Sequence, residues 1–173
     1  MPTAAAPGTA WEIGGVQIAA RTDYALRALC HLAAVDGEAA IKADEIAAAH
    51  DIPRSFLDGI LLDLRRGGMV ESRRGPVGGH RLARPAYAIT VADVIRLLEG
   101  PLALVHGHRP EEMTYAGPAA ALQDVWVALR AAVREVLEST TLEQVVQRTL
   151  PAAVTSLNGD ARSWVSVWPP PRA

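Results

Sequence analysis

A chain of 173 residues can form one domain with a proper core, or a small domain carrying an extension. Half of its residues are hydrophobic and 21% are charged, as in ordinary globular proteins, and a net charge of −2 says nothing for nucleic acid. No stretch holds the roughly eighteen uninterrupted apolar residues of a membrane span, and residues 1–15 lack the basic start and apolar centre of a signal peptide, so a cytoplasmic protein without a membrane partner is expected.

Residues 1–15, rich in Ala, Pro and Gly, read as a disordered lead. Thr22 and Asp23 are expected to open the first helix, with the hydroxyl as N-cap and the acid in the first turn. Leu26, Leu29, Cys30 and Ala33 would form its apolar stripe, and Asp36-Gly37 its end. A short second helix follows from about Ala43 to His50, with Ile46 and Ala47 inward and Lys42 as a poor N-cap. After the tight break Asp51-Ile52-Pro53, a third helix starts at Pro53 or Arg54. At about 100° per residue, Phe56, Leu57, Ile60, Leu61 and Leu64 share one sector. Arg54, Ser55, Asp58, Gly59, Arg65 and Arg66 share the other, and Leu62 is the misplaced apolar residue. Gly67-Gly68 stops this helix.

Met69 to Arg74 then alternates weakly, Gly75-Pro76-Val77-Gly78-Gly79 turns, and His80 to Ala83 returns, predicting a short β-hairpin with a Gly-rich tip. Thr90-Val-Ala-Asp93 caps a helix through Glu99, closed by Gly100-Pro101. Residues 101–117 read as an irregular loop. Gly117-Pro118 would start the longest helix, to about Ser139. Its Leu122, Trp126, Leu129, Val133 and Val136 recur at spacings of four, three, four and three, the seam of a short coiled coil. Thr141 to Gln144 resembles a capping box for a last helix reaching Leu150-Pro151. The tail, with Trp164, Trp168 and Pro169-Pro170-Pro171, reads as irregular.

A short helix joined by a three-residue turn to an amphipathic one is a helix-turn-helix, and a basic, Gly-tipped hairpin after it stands where a wing would be. Between Arg54 and Arg84 seven arginines (Arg54, Arg65, Arg66, Arg73, Arg74, Arg81, Arg84) face three acids (Asp58, Asp63, Glu71), a local charge of +4 in an acidic chain. The expected fold is therefore mainly α with a small β-hairpin wing: a winged helix-turn-helix domain plus a long dimerisation helix. The corresponding ranges are 16–100 for the DNA-binding domain, 101–117 for an effector-type loop, 118–150 for dimerisation helices and 151–173 for the tail.

Three segments carry a family resemblance: Arg21-Thr-Asp-Tyr-Ala-Leu-Arg-Ala-Leu29, Ile52-Pro-Arg-Ser-Phe-Leu-Asp58 and Leu64-Arg-Arg-Gly-Gly-Met-Val-Glu-Ser-Arg-Arg-Gly-Pro-Val-Gly-Gly-His-Arg-Leu82. Over roughly residues 16 to 150 the chain resembles the Rrf2 family of winged helix-turn-helix transcription regulators, the IscR, NsrR and CymR group; members often begin near Val16. The resemblance implies a homodimer held by the long helix, recognition helices in successive major grooves of double-stranded DNA, and a pseudo-palindromic operator, usually repressed. It also implies site residues. Arg54, Ser55 and Asp58 match positions facing bases or their phosphates, with Asp58 as sequence reader. Arg74 would enter the minor groove beside Gly75, Gly78 and Gly79, while Arg73 and Arg81 would hold phosphates. Thr22 and Tyr24 match backbone contacts. Blander roles stay open: Thr22 as a cap only, Asp58 as an acid paired with Arg54, and Arg81 as a structural strand residue.

Many relatives hold an iron–sulfur cluster on three cysteines before the long helix. Here that loop, Pro101 to Pro118, has none, and Cys30, the single cysteine, lies on the inward stripe of the first helix. No cofactor is expected, an iron–sulfur cluster least of all. His106 and His108, with Glu111, Glu112 or Tyr115, remain metal candidates only. The alternatives for the loop are a small-molecule or protein effector, or none. No phosphate loop, nucleophile elbow or zinc-hydrolase motif occurs, and adjacent Cys30 and His31 point about 100° apart on a helix, so no enzyme is expected. The competing reading is a winged-helix protein-interaction adaptor that does not bind DNA.

Overall fold

The computed structural model describes residues 18–35, 39–75 and 78–165. The expected lead, the Asp36-Gly37 stop, Pro76, Val77, Trp168 and the Pro169 to Pro171 run lie outside the described residues. Among the described residues no helix is long and apolar enough to cross a membrane.

Helix α1 (Ala20–Ala33) begins two residues before the expected cap. Ala19 is its N-cap without a side-chain bond, and Thr22 sits inside the first turn, fully buried. Its inward stripe is Ala25, Ala28, Leu29 and Leu32, so Leu26, Cys30 and Ala33 are flanking, partly buried residues. Alanines at the centre let the neighbouring helices come close, which a reading weighted to large side chains misses. Burial also pushes the Cys30 thiol pKa up, as for an inert packed cysteine.

Helix α2 (Ala43–His50) ends at Asp51, whose left-handed backbone (φ 52°) turns the chain. Pro53 is the N-cap of α3 (Arg54–Arg66), not its first helical residue. Leu57, Ile60, Leu61 and Leu64 are buried in α3, whereas Phe56, expected with them, is 51% exposed and meets Tyr24 edge-on at 6.1 Å. Strands β1 (Val70–Arg73) and β2 (Gly79–Leu82) pair antiparallel, with Glu71 opposite Arg81 and Arg73 opposite Gly79. On its other edge β2 bonds to Ile41, through Ile41 N–H to His80 O at 2.9 Å and His80 N–H to Ile41 O at 2.8 Å.

Helix α4 (Val91–Glu99) starts on the expected capping box, Thr90 accepting from Asp93 N–H at 3.1 Å and Asp93 accepting from Thr90 N–H at 3.0 Å. The loop after it contains a tight turn joining Val105 to His108 and short 3-10 turns at Pro110–Glu112 and Gly117–Ala119. Gly117-Pro118 therefore opens a 3-10 turn, and α5 proper spans Leu122–Ser139.

The capping box Thr141–Gln144 also forms, but α6 (Leu142–Gln147) ends at Arg148 in the left-handed region. Leu142 is fully buried in the same cluster as α1, α2, α3 and β1. Backbone bonds from Val91 N–H to Thr140 O (2.9 Å) and Leu142 N–H to Ile89 O (3.0 Å) fasten α6 there. Residues 118–150 thus divide, with α6 packing on the cluster of α1, α2, α3 and β1 instead of extending α5. The tail is not irregular throughout: α7 (Ala152–Asn158) and a 3-10 turn at Ala161–Trp164 occupy part of it.

Candidate nucleic-acid interface

Helix α3 is fixed from below by its buried leucines and Ile60, leaving Ser55, Asp58, Arg65 and Arg66 exposed. The hairpin starts directly after it and stands beside it. His80, opposite Ser72 and one position from the tip-end pair of the wing, has its pKa lowered first by burial and then by the positive charges of Arg54 and Arg65. Met69 N–H donates to Leu64 O at 2.9 Å, so the wing begins against the end of α3.

Glycine at the wing is required sterically. A Cβ at Gly79 would meet the Ile41 carbonyl carbon at 2.6 Å, and one at Gly78 would lie 2.8 Å from Gly75 O. Gly75 itself has φ 107°, open to glycine at little strain. Gly78 N–H donates to Gly75 O at 2.9 Å, closing the turn that carries exposed Arg74.

The other expected contacts separate into two groups. Arg81 pairs with Glu71 across the hairpin, where opposite charges directly facing one another stabilise the strands; its blander role is the one the geometry favours. Arg73 is exposed on the outer end of β1. Tyr24 is half-buried, against Phe56 and under the Arg27 guanidinium at 5.7 Å. Thr22 is a correction. Its side chain is fully buried and Oγ1 has no hydrogen-bond partner, so it neither caps the helix nor reaches a backbone phosphate in this conformation.

Arg54 is also engaged. Nε donates to Asp44 Oδ1 of α2 at 2.6 Å, and the guanidinium pairs with Asp58 one turn along α3. Asp44 was missed from the sequence because its partner lies ten residues away, across a turn, where no helical period links them.

Trp126, Val133 and Leu137 turn toward α4 and, with Leu129, line an open cavity of about 540 Å³ shared with Ile95, Glu99 and the loop from Leu102 to His106. Trp126 Nε1 donates to Tyr115 Oη at 3.1 Å. Leu122 and Val125 are exposed and do not line the cavity, Leu129 is exposed although it lines it, and Val136 is half-buried. The expected seam of Leu122, Trp126, Leu129, Val133 and Val136 lies within one sector of about 80° on this helix, and three of its residues, Trp126, Leu129 and Val133, line the cavity. No residue of α5 is fully buried by its own chain. His106 and His108 flank the tight turn, and among the described residues no group of three or more His, Cys, Asp or Glu side chains converges as metal ligands would.

Comparison with known proteins agrees with this geometry. The family described as "Rrf2: Iron-dependent Transcriptional regulator" matches residues 18–148. A protein of Mycobacterium tuberculosis (strain H37Rv) described as an HTH-type transcriptional regulator is 45% identical over 148 residues, covering 86% of this chain and 92% of the relative. The HTH-type transcriptional regulator CymR of Bacillus subtilis (strain 168) is 35% identical over 134 residues, covering 78% and 92%. The solved structure of that CymR, titled the global cysteine regulator, superposes with a TM-score of 0.68 at 34% identity, covering 78% of this chain and 98% of the other. T. potens IscR superposes with a TM-score of 0.64 at 28% identity, covering 78% and 89%.

Proposed function

This chain belongs to the Rrf2 family of DNA-binding transcription regulators, and from that membership we propose that it works in the cytoplasm as a homodimeric repressor of a pseudo-palindromic operator. The observation that carries the reading is the hairpin set directly after α3 by the Met69 N–H to Leu64 O bond at 2.9 Å, with Arg74 exposed near its tip and Ser55, Asp58, Arg65 and Arg66 exposed on the helix. With α3 in a major groove, Asp58 accepts a hydrogen bond from a base amino group, cytosine being the best fit, and Ser55 lies beside it. Arg74 follows the Gly75 turn into the adjacent minor groove, and Arg73 holds backbone phosphate. The exposed apolar residues of α5, Leu122 and Val125 with Leu129 at the cavity's edge, supply a seam for a second copy and so set two recognition helices at a fixed spacing.

The iron in the family description is a poor fit to these residues. A cluster needs several thiolates, and this chain has only Cys30, packed on α1 away from the loop. The regulator we propose works without an iron–sulfur cluster, and its signal enters at the loop of residues 101–117 and the cavity beneath it.

Selection of bound fragments from the source genome, followed by anisotropy titration in rising salt, tests the proposal. A shared two-fold motif and a steep fall of affinity with salt are expected. Binding that ignores both sequence and salt would instead favour the protein-adaptor reading.

A further inference from the structure

Arg54 is the first residue of α3, at the positive end of the helix dipole, with no acidic residue in the first turn to offset it. An arginine there would ordinarily be a phosphate clamp. In this chain two carboxylates reach it first: Asp44, from the first turn of α2, on Nε at 2.6 Å, and Asp58 on the other side of the guanidinium. The three side chains together carry one net negative charge, so a phosphate approaching Arg54 must displace a carboxylate and face its repulsion. The contact with Arg54 uses Oδ1 of Asp58, not Oδ2. Asp44 is itself 81% exposed and touches Arg54 across the turn between the two helices, so it adds no packing of its own.

We propose that Asp44 is a positioning residue for base readout: it holds Arg54 off the DNA backbone, and Arg54 in turn holds the Asp58 carboxylate with Oδ2 aimed at a base amino group. The proposal rests on the DNA-binding reading above and names its specificity device. Holding Asp58 through Arg54, itself tied to Asp44, removes side-chain freedom before DNA arrives, so the base contact forms without further ordering. Engaging Arg54 inside the protein lowers attraction for any duplex, whatever its sequence. The pair therefore trades general affinity for discrimination.

The test uses the full chain with an operator duplex selected by the wild-type protein, a duplex altered at the base pair under Asp58, and an unrelated duplex. Each is titrated by anisotropy across a salt series. Asp44→Asn is compared with Glu45→Gln, which removes the same charge one residue away in the same turn of α2. Asp44→Asn should free Arg54 for a phosphate, steepening the log–log salt slope by about 0.9 and tightening binding to the unrelated duplex. It should also cut discrimination against the altered operator by about fivefold or more. Glu45→Gln should leave both slope and discrimination near wild type. Arg54→Gln should lose discrimination without flattening the slope.

Identical behaviour of Asp44→Asn and Glu45→Gln would overturn the proposal, because Asp44 would then act as bulk charge alone. A slope flattened by about 0.9 in Arg54→Gln would overturn it as well, since Arg54 would already sit on a phosphate. These outcomes leave DNA binding intact. Failure of the wild-type chain to bind any duplex in a salt-dependent way removes the DNA-binding reading itself, and this device with it.

Discussion

Leu142→Ala separates two places for the last capped helix, the core of the winged domain or the dimerisation arm. In the structure Leu142 is fully buried in the cluster built by α1, α2, α3 and β1. Truncating a leucine at such a site costs the transfer free energy of the lost carbons plus a cavity, about 3–4 kcal/mol. The helix itself should survive, since alanine favours helix and the bonds joining Leu142 to Ile89 and Val91 to Thr140 are backbone bonds. For a chain of this size each kcal/mol moves the melting temperature by roughly 2–4 °C, so a fall of about 10 °C is expected. Calorimetry at several protein concentrations should show the same loss at each, because the cavity lies within one chain. A loss under about 1 kcal/mol, or one that disappears on concentrating the protein, would place α6 at a subunit contact and refute the assignment.

Arg74→Ala should weaken operator binding by about 1–3 kcal/mol with unchanged unfolding temperature; an unaltered dissociation constant by anisotropy removes the wing from the interface. Gly79→Ala should force Ile41 away from β2 and forfeit two backbone hydrogen bonds, roughly 2–3 kcal/mol with strain, read by denaturant unfolding. Val125→Glu should put a charge on the exposed side of the apolar sector of α5 and shift sedimentation from the proposed dimer toward the monomer; an unchanged mass argues for a different seam. His50 bonds to His31 at 3.2 Å, and its pKa is lowered from 6.5 by burial, then by His31 and Arg27. A lowered histidine pKa means the unfolded chain binds the proton more readily, so stability should fall as pH drops through about 6.5 and toward the folded value. His50→Gln should flatten melting temperature against pH between about 5 and 8, and an unchanged curve would exclude this pair as the source.

Elements whose signals lie within a few residues were readable from the chain alone. The capping boxes at Thr90 and Thr141, the Gly67-Gly68 stop, the Gly-rich wing tip and the buried sector of α3 all follow from helical or turn periodicity, which couples neighbours at most about four positions apart. The family segments lie in the same stretches, so the winged helix-turn-helix was legible there as well.

Tertiary structure decided what each face meets. Phe56 has the right period for the core but lies at the sector's edge, beside Tyr24. Thr22 looked like a cap, and the chain's entry at Ala19 instead turned it inward. Val133 and Val125 share one apolar pattern, yet Val133 packs on the cluster of α4 and Val125 is exposed, because α4 covers only part of the apolar sector of α5. Above all, Asp44 and Arg54 are joined only once α2 and α3 fold across their turn. A sequence carries the local hydrogen-bonding and periodic pattern; charge partners and buried faces arise from segments brought together in space, where separation along the chain leaves no mark.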